Sequence, residues 1–101
     1  MGDWTVVSMT GEIDLATAPQ LRQEVVRVTS GGILRLALDL TGVDFMDSIG
    51  LGVIVGALKR MRAHGGELVV VCDEPRVLDL LRLTDLDRIL TLRPSLDAVV
   101  S

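Results

Sequence analysis

The chain has 101 residues, 49% of them apolar, with ten Lys+Arg against fourteen Asp+Glu for a formal charge of −4 and a pI near 4.7. That length predicts one domain over residues 1–101, and the apolar content excludes a disordered chain. The acidic balance excludes a nucleic-acid backbone binder, which needs a basic surface. Mean hydropathy is +0.47, yet the central uncharged run Ile49–Leu58 is far shorter than the roughly 20 residues of a membrane span. Met1–Gly2–Asp3 has no basic n-region and no apolar stretch follows, so no signal peptide is expected. One cysteine makes no internal disulfide and points to the cytoplasm. One histidine with one cysteine makes no His/Cys metal cage, and no cofactor is implied.

Trp4–Thr10 is β-rich and Gly11 breaks it. A helix is predicted from Thr17, with Thr17 and Gln20 in a capping-box pattern and Pro19 in the first turn. Leu21, Val25 and Val28 share its inner face, and Gly31–Gly32 end it. Leu34–Leu40 reads as a strand and Val43–Ser48 as a loop. A second helix runs from about Ile49 to Ala63, with Leu51, Val55, Leu58 and Met61 on one face, and Gly65–Gly66 stop it. Glu67–Cys72 is an almost unbroken apolar strand of the kind buried centrally in a sheet. Pro75 opens a third helix with Val77, Leu78, Leu81 and Leu83 apolar. Ile89–Leu92 is a short strand, and Ser95 caps a last helix to about Val100. The βαβαβαβα order predicts an α/β domain with a mostly parallel sheet of four strands, or five if mixed.

In such a sheet, functional groups gather where strands end and helices begin. Glu12, Asp14, Asp44 and Asp47 lie in the first two such junctions, where carboxylates also serve as plain helix caps. A Ser48–His64 catalytic pair fails on geometry: the two ends of one helix are roughly 24 Å apart at 1.5 Å per residue. Cys72, flanked by Asp73 and Glu74, suits a buried small hydrophobe better than a reactive thiolate. Asp39, Asp44 and Asp47 contain oxygen ligands for a hard cation, but Asp39 is within a strand and no phosphate cradle accompanies them. Gly50, Gly52 and Gly56 each cost about 1 kcal/mol within a helix. Gly52 and Gly56 share a face and permit close approach to the sheet or a partner, while Gly50 leaves the helix start open beside Ser48. Ser48 reads as the N-cap.

The stretch Leu38-Asp39-Leu40-Thr41-Gly42-Val43-Asp44-Phe45-Met46-Asp47-Ser48-Ile49-Gly50-Leu51-Gly52 resembles the central motif of the STAS domain, in particular of bacterial anti-sigma factor antagonists. Gly11-Glu12-Ile13-Asp14 and Leu83-Thr84-Asp85-Leu86-Asp87 look like further motifs of that family, and the likeness runs from Trp4 to about Val100. It implies a regulatory binding module, not an enzyme, built around a phosphorylation switch. In members of that family the serine at the position of Ser48 is the phosphoacceptor, which makes Ser48 the expected phosphosite. A partner that is both serine kinase and anti-sigma factor modifies it, and a serine phosphatase restores it. The unphosphorylated form binds that partner and frees the sigma factor. By the same resemblance, Asp14, Asp39, Asp47 and Gly50 are expected around the phosphosite. An exposed apolar patch of Met46, Ile49 and Leu51 is expected to meet the partner, with Phe45 kept for the core.

Three departures from the family pattern stand out. Ile49 replaces a usually small residue, Asp85 stands where Gly is usual, and the short N-terminus is expected to leave the edge beside Trp4–Thr10 open to self-association as a homodimer. The alternative reading within the same family is an accessory subunit of a membrane transport complex, without a phosphoswitch and without membrane insertion.

Overall fold

In a computed structural model, residues 3–100 are described; Met1 and Gly2, on which the expectation of a short N-terminus rests, lie outside them. The strands are β1 (Thr5–Ile13), β2 (Arg35–Met46), β3 (Glu67–Val71) and β4 (Thr91–Arg93). The helices are α1 (Ala18–Thr29), α2 (Ser48–Ala63), α3 (Pro75–Leu83) and α4 (Asp97–Val100), with a 3-10 turn at Leu86–Arg88. The sheet has four strands in the order β1-β2-β3-β4, and every pairing is parallel. The five-stranded mixed alternative does not occur among the described residues.

Alternate residues of β2, namely Leu36, Leu38 and Leu40, join Leu68 and Val70 of β3 in one buried cluster. Leu21 and Val25 of α1, Ile54 and Met61 of α2, and Leu81 of α3 complete it. The three crossover helices therefore pack on one face of the sheet, as successive right-handed connections require. Ala37, Val69 and Val71 are buried on the opposite parity. The helix stop at Gly65–Gly66 is a Schellman closure: Gly66 N–H donates to Met61 O (2.8 Å), Gly65 N–H donates to Arg62 O (3.1 Å), and Gly65 holds φ +71°.

Two strands run further than the sequence predicts. β1 continues through Gly11 to Ile13, and β2 continues through the expected loop Val43–Ser48 as far as Met46. Register shifts between Ser8 and Thr10 and between Gly11 and Glu12 absorb the extra β2 residues, so Gly11 is an irregularity within the strand rather than its end. β3 pairs with β2 only as far as Asp39. Beyond that point β1 and β2 form a two-stranded overhang, backed by contacts between β2 and α3. Its tip leads directly into α1 and α2.

Three burial expectations are also corrected. Val55 is only half-buried, and Val53, Ile54 and Ala57 take the inner face of α2. Leu83, expected on the apolar face of α3, is 83% exposed at its end. Gly50 is buried, not open.

Candidate functional site

The overhang and two helix starts assemble the site. Asp47 N–H donates to Ile13 O (3.2 Å), which ties the entry of α2 to the end of β1. The Asp47 carboxylate then accepts from Ile49 N–H (2.9 Å) and Gly50 N–H (3.1 Å) through one oxygen. Asp47 is thus the N-cap of α2, in extended backbone, and Ser48 is the first helical residue. This corrects the assignment of Ser48 as the cap: two adjacent residues were competent, and the carboxylate took the role. The Ser48 hydroxyl is exposed and has no hydrogen-bond partner among the described residues.

Asp14 organises the other helix entry. Its carboxylate accepts from Ala16 N–H (2.9 Å) and Thr17 N–H (3.1 Å). Thr17 does not close the expected capping box. Its hydroxyl instead donates to Glu12 O (2.6 Å) and accepts from Asp14 N–H (3.0 Å), bracing the turn from β1. Asp14 and Asp47 therefore sit at neighbouring strand ends, since Ile13 and Met46 are register partners.

Asp39 does not join them. It pairs with Ser8 across the sheet, five β1 residues back from Ile13, about 16 Å of strand at 3.3 Å per residue. There its carboxylate accepts from Thr41 Oγ1 (2.7 Å), Thr41 N–H (3.1 Å) and Ser8 Oγ (3.3 Å). These bonds hold the irregular part of β2. Among the described residues, no group of three or more His, Cys, Asp or Glu is arranged to hold a metal ion. His64 caps the far end of α2, its Nδ1 paired with Arg60 O (2.7 Å), so it is a full helix away from Ser48.

The apolar surroundings are the reverse of part of the expected patch. Met46 (5% exposed) and Leu51 (7%) are in the core, so an exposed patch is not made of them. Ile49 is 37% exposed, and Phe45, expected inside, is 46% exposed. Leu15, which the sequence reading did not single out, is 74% exposed in the turn after Asp14. Its place in the turn between Asp14 and Thr17, just before α1, was the available signal. Gly50 has a packing reason: a Cβ there would lie 2.7 Å from Met46 Cγ and 2.8 Å from Ile13 Cγ2. Cys72 is buried, and that burial pushes its thiol pKa up, with Asp73 and Glu74 adding to the rise. It is not a reactive thiolate.

The arrangement offers a free hydroxyl on a rigid helix start, with carboxylates already occupying the nearby N–H donors. No helix among the described residues is long and apolar enough to cross a membrane. A STAS-domain family model matches residues 2–99. An anti-sigma-B factor antagonist of Listeria monocytogenes is 42% identical over 89 residues, covering 86% of this chain and 76% of the relative. The protein of that description from Bacillus subtilis is 38% identical over 84 residues, covering 83% of this chain and 76% of the relative. Among solved structures, an anti-sigma factor antagonist from Mycobacterium paratuberculosis superposes with a TM-score of 0.89 at 34% identity, covering 97% of this chain and 83% of that one. The chain belongs to the STAS-domain family, alongside these anti-sigma factor antagonists.

Proposed function

We propose that this chain is an anti-sigma factor antagonist of the cytoplasm, a binding module switched by phosphorylation of Ser48. The observation that carries the reading is the division of labour at the head of α2. Asp47 caps the helix, which leaves the Ser48 hydroxyl exposed and without a partner among the described residues. A serine needed as a cap would keep its oxygen turned into the first turn.

In the switch, a partner that is both anti-sigma factor and kinase transfers the γ-phosphoryl of ATP to Ser48 Oγ. ADP leaves and the hydroxyl proton passes to a base of the partner. A phosphatase reverses the mark by hydrolysis. The phosphoserine adds about −1.5 to −2 charges at pH 7. A helix start ordinarily welcomes such a group. Here the Asp47 carboxylate already holds the N–H groups of Ile49 and Gly50. The phosphate therefore gains little from the fold, and its charge is spent against whatever docks on this surface. Exposed Leu15, Phe45 and Ile49 supply apolar contact area at the same end of the sheet.

The test incubates the chain with the anti-sigma factor kinase of the same bacterium and ATP, followed by intact mass and by calorimetric titration. Wild type is expected to gain one phosphate and lose affinity. Ser48→Ala is expected to gain none and to keep its affinity. Phosphate on Thr41 or another hydroxyl in the Ala variant, or equal binding by phosphorylated and unmodified chain, overturns the reading.

A further inference from the structure

A groove of about 340 Å³ lies between α1 and α2, beginning one turn after Ser48. Its floor is apolar and sealed, formed by Val25, Val53 and Ala57. Gly52 and Gly56 open it: a Cβ at either position would meet nothing within 4 Å. Of the expected close approach to the sheet or to a partner, the approach to the sheet is not met, since no sheet atom lies within 4 Å of a Cβ at either position. Val26 adds exposed apolar surface at the edge.

The rim is basic. Arg22, Lys59 and Arg60 border the groove. Among the described residues, Arg27, Arg35, Arg76, Arg82 and Arg88 each have a carboxylate within 4.0 Å. Arg22, Lys59 and Arg60 have none, and neither do Arg62 and Arg93, which bond backbone carbonyls outside the groove. Arg60 is instead held in place by Thr29, whose buried hydroxyl accepts from its Nε (3.0 Å). A chain of net charge −4 thus leaves three cations unneutralised around one apolar slot.

We infer that this groove receives an amphipathic helix of the anti-sigma partner, apolar on its inner face and acidic on its flanks. The inference rests on the functional reading above and names the partner's chemistry. Two side-by-side helices present a channel that a third helix fills by ridge-into-groove packing, and glycines allow the closest axial approach. The rim charges select acidic flanks and steer the encounter.

The groove also gives the switch its sign. Ser48, Gly52 and Gly56 are spaced i, i+4 and i+8 and so form one stripe along α2. A phosphate on Ser48 stands at the open end of the slot. It lies about 6 Å along the helix axis from Gly52, inside the Debye length of about 8 Å at physiological salt. It repels the same acidic helix that the rim attracts.

The experiment measures affinity for the anti-sigma factor kinase of the same bacterium by calorimetry, with thermal melts of every variant. Gly56→Leu puts a side chain into the slot from a position where its Cβ meets nothing within 4 Å, so its melting temperature is expected to hold or rise while binding weakens by about tenfold or more, which is 1.4 kcal/mol. The double variant Arg22→Glu/Lys59→Glu tests the rim without touching the floor. It is expected to weaken binding at least as much and to flatten the dependence of affinity on salt. Hydrogen exchange of the wild-type complex is expected to protect α1 and α2 along the groove. Wild-type affinity in the double variant, or a complex without protection there, overturns the groove while leaving the functional reading intact. No binding by the unsubstituted chain overturns the functional reading, and the inference with it.

Discussion

Gly50 and Gly52 stand two residues apart on α2, and replacement by alanine is expected to change stability in opposite directions. At Gly50 the new methyl enters within 2.8 Å of Ile13 Cγ2 and 2.7 Å of Met46 Cγ, with Ile13 Cβ at 3.3 Å. Met46 can turn its chain, but Ile13 is β-branched, fully buried and held in β1. Overpacking of this kind costs about 1–3 kcal/mol. The gain in helix propensity returns about 1 kcal/mol. With the rigid neighbour placing the cost in the upper half of its range, Gly50→Ala is expected to destabilise by about 1–2 kcal/mol, a fall in Tm of roughly 5–15 °C for a domain this size. At Gly52 nothing lies within 4 Å, so only the propensity gain of up to about 1 kcal/mol remains and Tm rises. Urea unfolding followed by far-UV circular dichroism, with matched m-values, measures both. Equal signs for the two variants, or a Gly50→Ala chain as stable as wild type, would refute the packing argument.

Other outcomes follow from the same geometry. Ser48→Ala is expected to leave stability within about 0.5 kcal/mol of wild type, whereas Asp47→Ala loses about 1 kcal/mol with the cap, both read by chemical denaturation. Ser48→Asp is expected to keep the fold and weaken anti-sigma factor binding by titration, less than true phosphorylation does, because it adds one charge instead of nearly two. Asp85 holds φ +60°; Asp85→Gly is expected to stabilise by about 0.5–1 kcal/mol in thermal melts, since its exposed contact with Arg88 at 3.6 Å is worth little. The Cys72 thiol pKa is raised by burial, so the native chain keeps this proton where the unfolded chain loses it. Stability from this group is then full below the ordinary thiol range and falls as pH climbs through it, and a thiol reagent at mildly alkaline pH is expected to react slowly until denaturant is added.

The parallel sheet and its helices were legible because each element is bounded by strong signals: Gly31–Gly32 after α1, the ELVVV run of β3, Gly65–Gly66 after α2, and Pro75 as the first residue of α3. The end of β2 was not. Thr41, Gly42 and Asp44 carry turn chemistry, and only the long-range pairing with β1 keeps them extended. With that segment read as a loop, its side-chain parity was undefined, and Phe45 and Met46 were exchanged between surface and core. The face of α2 was obscured for a related reason. Apolar residues surround much of that helix, so the spacing fits more than one buried stripe, and tertiary packing chose Ile54 and Ala57 over Val55. At the site, Ser48 and its neighbour Asp47 were found, but which of them caps depended on where α2 begins by one residue.

Ser48 is joined to the rest of its surroundings through the bond from Asp47 N–H to Ile13 O, which links two segments distant in the chain at the tip of the two-stranded overhang. A linear peptide carrying Asp47, Ser48 and Gly50 has neither the capped helix nor the β1 end beside it. Under the proposed switch, the kinase meets a conformational epitope rather than a consensus string, and substrate recognition becomes a test of foldedness. A chain whose overhang has melted offers no surface to mark and no surface to compete with. On that proposal, newly made or damaged copies are expected to stay silent in the circuit until the β1–β2 tip has closed.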